Sequence, residues 1–153
     1  MNRYELNAAW QEDYDRDHPS IEDCQIVKKI ATNLRENLLP HLSDFFTDFE
    51  IHFVKRHRFN KWMGIYVSGS FEKPIVLLSI DEIHEACDEK WVAFSCGVET
   101  TIVHELGHAI QDLFSVTPEE DEAEDFASYW YHHRKVSKFW NTPEFSGEIV
   151  EMA

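Results

Sequence analysis

The chain has 153 residues, 43% of them hydrophobic with 11 Phe and 5 Trp, which is material for one domain spanning 1–153 and too apolar for a disordered segment. A net charge of −15 argues against nucleic acid and anionic lipid as partners, since both are polyanions. The odd, sparse set Cys24, Cys87 and Cys96 is not a disulfide framework, no apolar run approaches a membrane span, and the N-terminus is too polar for a signal peptide, so the expectation is a soluble cytoplasmic protein.

Residues 1–18 are polar and read as a short helix or a loose arm. "PSIEDCQIVKKIATNLRENLLPHL" reads as a helix capped by Ser20 and ended by Pro40, with Ile21, Cys24, Val27, Ile30, Ala31, Leu34 and Leu38 at helical spacing. The period then changes. "FEIHFVKRHRF", "KWMGIYVSGSF" and "KPIVLLSI" are rich in β-branched and aromatic residues and are separated by Gly, Ser, Asn and Pro, which predicts three strands of one sheet. "DEIHEACDEKW" fits a short helix or a loop. Helices return over 97–114 and, after the turn "SVTP", over 118–136, where Thr117 and Glu120 form a capping box with Pro118 at the first helical position. The order helix, strands, helix, helix predicts an α+β domain.

The chemistry concentrates in "TIVHELGHAIQ". His104 and His108 are four apart, so a helix stacks both imidazoles on one face, one turn apart, where they can grip one metal ion. Glu105 is rotated about 100° from His104 and sits beside that ion, placed to take a proton from a metal-bound water. Zinc suits imidazole and carboxylate ligands and needs no redox chemistry; two His, one carboxylate and one water make a hydrolytic zinc site. On a helical wheel Val98, Ile102, Val103, Leu106, Ala109, Ile110 and Leu113 form one broad apolar face, with His104 and His108 opposite. The histidines are therefore not core residues tucked among aliphatics. Gly107, on the histidine side, costs a helix about 1 kcal/mol against Ala, and its use there implies a close approach.

A third ligand is expected from the acidic run at 119–125. Most of that run reads as a solvated face with favourable charge at a helix N-terminus. Glu120 and Glu124 share the flank that can look toward the histidine helix. If the second helix returns antiparallel after a turn at 115–117, it comes level with the histidines near 124–126, which favours Glu124 over Glu120.

"HELGH" with a glutamate on the next helix resembles the gluzincin clan of zinc metallopeptidases. "TIVHELGHAIQ" followed by "EDEAEDFA" is similar to the ImmA/IrrE metallopeptidase family, and that resemblance implies Glu120 as the ligand. "EDFASY" resembles instead the aminopeptidase N family's motif, which implies Glu124. The clear match covers about 30 residues. The expectation is a zincin-like domain holding one zinc ion through His104, His108 and either Glu124 or Glu120. Glu105 is its general base, and a peptide or protein is its substrate. The alternative is a zincin-fold binding or regulatory protein with a structural or vestigial metal site. Weaker signals are Tyr131 as an oxyanion donor, His84, Cys87 and Cys96 as a second metal site, and "HFVKRHRFNK" as a basic patch that is a solvated strand edge, a site for an acidic substrate or a partner of the acidic run.

Overall fold

The computed structural model describes residues 14–56, 61–68 and 73–113. Helix α1, Ile21–Asn37, starts where Ser20 Oγ accepts the Asp23 N–H at 3.1 Å. Glu22 and Asp23 in its first turn and Arg35 in its last complement the helix dipole. Its buried stripe is Val27, Ile30, Ala31 and Leu34. Ile21, which the periodicity included, is exposed, because it precedes the point where the helix meets the core. Pro40 has no N–H to continue the ladder, and α1 gives way to a 3-10 turn, Leu39–Leu42. Arg35 then joins the end of α1 to the start of the sheet: its Nε donates to Asp48 Oδ1 and its Nη2 to the Phe49 carbonyl, both at 2.8 Å. Partial burial pushes the Asp48 carboxyl up, but hydrogen bonds from Arg35, the Phe49 N–H and Lys73 outweigh this and hold it below the usual carboxylate range.

The three strands form one mixed sheet: β1 is Glu50–Phe53, β2 is Gly64–Tyr66 and β3 is Ile75–Leu78, in the order β1-β3-β2. β1 runs parallel to β3, and β2 antiparallel to it. The apolar run "IVLL" is β3, buried at every position because it has a strand on each side and apolar groups on both faces. Val76 and Leu78 face the helices. Leu77 and Ile75 face the other way, with Val54, Ile65, Val67 and an edge-to-face pair of Tyr14 and Trp62. Of the arm read at 1–18, the described part is tied to the outer edge of β1. The Asp17 N–H donates to the Phe53 carbonyl at 3.0 Å, and the Lys55 N–H to the Asp15 carbonyl at 2.8 Å.

"DEIHEACDEKW" lies almost wholly in helix α2, Ile80–Lys90. It ends on Trp91, a non-glycine residue in the left-handed region at φ 58°, with the Val92 N–H closing onto the Cys87 carbonyl. Two cations of the basic patch meet helix α2, while residues 57–60 of the patch lie outside the described residues. Arg56, just past β1, donates to Glu82 at 2.8 Å and Glu85 at 3.0 Å, and Lys61 reaches Glu85 at 3.3 Å. The partners of these two cations are acids of α2, which brace the chain leaving β1 against the helix.

Helix α3, Phe94–Leu113, begins three residues before the predicted start and packs against β2 and β3, with α1 and α2 beside it. The crossing with α2 is close because Gly97 lacks a side chain: a Cβ there would lie 2.4 Å from Cys87 Sγ. Burial pushes the Cys87 thiol up, so it packs as a small protonated apolar group. The architecture is α+β: an N-terminal helix, a three-strand mixed sheet and two further helices packed with it. The helix read at 118–136 lies outside the described residues. No helix among the described residues is long and apolar enough to cross a membrane.

Candidate metal centre

Of the apolar face read on the helical wheel, Val98, Ile102, Val103, Leu106 and Ala109 are buried on α3, and Ile110 and Leu113 are half-buried. The opposite side is less polar in its setting than the wheel implies. Thr101, Glu105, Gly107 and Gln111 are also buried, because α3 is a central helix with the sheet on one side and α1 and α2 on others. His104 and His108 are half-buried, on the part of this helix that the described structure leaves accessible. Their rings meet edge to face, with centroids 4.9 Å apart and planes at 79°. Two imidazoles one turn apart at this spacing can converge on one ion, and nitrogen donors are what zinc takes.

Glu105 is 7% exposed and lies under β2, the outer strand of the sheet among the described residues. β2 comes close because its residue at this level is glycine. A Cβ on Gly64 would sit 2.5 Å from Thr101 Cγ2, 3.2 Å from the Leu77 carbonyl oxygen and 3.5 Å from Glu105 Cγ. Thr101 cannot easily turn aside, since its Oγ1 donates to the Gly97 carbonyl at 2.7 Å. Two residues along β2, the Tyr66 hydroxyl donates to Asp112 Oδ2 at 2.7 Å. Asp112 is one turn beyond His108, so β2 is fastened to α3 on either side of the histidine pair. Sequence reading did not single out Gly64, Tyr66 or Asp112, because their pairing spans 46 positions for Tyr66 and Asp112 and leaves no periodic trace.

The second part-buried polar contact is local. His108 Nδ1 lies 2.8 Å from Gln111 Oε1, and Gln111 is 6% exposed. An amide three residues after a candidate ligand histidine shares its helix face, and that spacing was readable in "HAIQ".

Among the described residues, no group of three His, Cys, Asp or Glu side chains gathers to hold a metal. A three-ligand centre built on His104 and His108 therefore draws its remaining donor from elsewhere. Glu120 and Glu124, the two candidates, lie outside the described residues, as does Tyr131. The second grouping, His84 with Cys87 and Cys96, does not assemble. His84 Nε2 lies 3.0 Å from Asp23 Oδ2 and its ring stacks on Phe94, while both cysteines are buried. Those contacts bind α2 to α1 and to the start of α3.

No known protein family, curated protein or solved structure matches the chain.

Proposed function

We propose that this protein is a zinc-dependent metallopeptidase of zincin-like fold. The observation that carries the reading is one helix bearing two adjacent half-buried imidazoles, with a buried carboxylate between them in sequence, set beneath the outer strand of the sheet among the described residues. His104 and His108 would hold the ion, with Glu124, or else Glu120, as the third ligand. Bound there, zinc supplies a Lewis acid for a carbonyl and an acidified water. The Glu105 carboxylate takes a proton from the attacking water and returns it to the leaving nitrogen. The Met63 carbonyl accepts from the Ser79 N–H and the Val67 N–H donates to the Ile75 carbonyl, so by antiparallel alternation the N–H and C=O of Gly64 point to the outer edge. A peptide backbone added there as a further strand would lie alongside β2, the strand whose Gly64 packs over Glu105.

Replacing His104 and His108 together by Ala should reduce bound zinc to background, measured by elemental analysis of protein purified without added metal. Full zinc occupancy in that variant would remove the assignment. For the third ligand, Glu124→Gln should weaken zinc binding strongly, whereas Glu120→Gln should weaken it by about 10–100-fold at most, as a change to a group that supports a ligand. The reverse order would mean that the turn after α3 comes about one helical turn sooner than an antiparallel return to Glu124 requires. Zinc bound without hydrolysis of any peptide would favour a binding protein of the same fold.

A further inference from the structure

We infer that Gln111 is a positioning residue that selects the tautomer of His108. The inference deepens the metal reading above, because it concerns which ring nitrogen is presented to the ion. An imidazole binds a metal through a nitrogen lone pair, so the proton of the neutral ring must sit on the other nitrogen. Gln111 Oε1 lies 2.8 Å from His108 Nδ1. A carbonyl oxygen only accepts, so Nδ1 carries the proton and donates it, and Nε2 carries the lone pair.

Three features make the contact more than an incidental surface bond. Gln111 is 6% exposed, so water competes poorly for its oxygen. It sits three residues after His108 on the same helix, which fixes its distance without help from a distant element. The ring it holds is the one whose plane stands at 79° to His104, so fixing its orientation fixes the geometry of the pair.

The carboxamide also has a weakness that a carboxylate lacks. Turned over, its NH2 would donate to Nδ1 and move the ring proton to Nε2, the wrong tautomer for an ion on that side. Gln111→Glu removes this option, since an ionised carboxylate can only accept. Gln111→Met keeps the length of the side chain and removes the hydrogen bond.

The experiment measures zinc affinity by competition with a chromophoric chelator for wild type, Gln111→Glu and Gln111→Met, alongside the melting temperature of each zinc-free protein. Nitrogen NMR of the His108 ring in the zinc-free wild type reads the tautomer directly. The expected results are a proton on Nδ1, zinc binding about 10–100-fold weaker in Gln111→Met, and binding in Gln111→Glu at least as tight as in wild type. A packing role alone would lower the zinc-free melting temperature of Gln111→Met and leave its zinc affinity unchanged; that result overturns the inference. So does a wild-type ring protonated on Nε2. Zinc that stays bound after His104 and His108 are both replaced would sink the metal reading alone, because the tautomer is read without zinc.

Discussion

Glu105→Gln should retain bound zinc and lose peptidase activity by about 10²–10⁴-fold, the usual contribution of a positioned general base. The substitution keeps the size and hydrogen-bonding reach of the side chain and removes its basicity. Geometry makes the result clean. Glu105 is buried against the Gly64 and Thr101 contact, so the amide has little room to adopt a new position, and in the proposed centre it is not a ligand. Zinc content by elemental analysis and turnover of a peptide substrate are the two measurements. Unchanged turnover with unchanged zinc would take Glu105 out of the mechanism. Loss of zinc in Glu105→Gln would instead make Glu105 a ligand or the support of one.

Gly64→Ala should destabilise the protein by about 1–3 kcal/mol, the range for overpacking a tight core, and lower its melting temperature by roughly 2–12 °C. The added Cβ would fall 2.5 Å from Thr101 Cγ2 and 3.2 Å from the Leu77 carbonyl oxygen. The first neighbour is pinned by its bond to Gly97, and the second is backbone in the central strand. Either β2 lifts from α3 or Thr101 shifts, and both disturb the wall against which Glu105 packs. The double variant Gly64→Ala/Thr101→Ser tests the cause. It removes the colliding methyl, keeps the hydroxyl that bonds to Gly97, and should recover most of the lost stability. A double variant no more stable than Gly64→Ala would place the strain at the Leu77 carbonyl instead.

Local features carried much of the reading because their physics is local. The Ser20 cap, the stop at Pro40, the apolar stripe of α1 and the placing of His104 and His108 on one helix face all depend on residues within one or two turns. The strands were legible in type but came out shorter than their apolar segments, because pairing ends where the partner strand ends. "DEIHEACDEKW" stayed ambiguous because it is short and acidic, and its helix is fastened by long-range contacts: Arg56 and Lys61 to its acids, and Asp23 to His84. The burial of Thr101, Glu105, Gly107 and Gln111 on α3 was not legible for a similar reason. A wheel assumes one packed face, whereas this helix has neighbours on several sides.

By itself the sequence determined that one helix presents a histidine pair with Glu105 beside it, since helical spacing alone sets those angles. Only the tertiary structure decided what stands over that helix. The choice of β2 as the strand above Glu105, the bare backbone of Gly64 that lets it approach, and the Tyr66–Asp112 bond that fastens it all join positions far apart in the chain. Such contacts are selected by packing after the chain has folded back on itself, and neither residue of a pair carries the identity of the other in its local pattern.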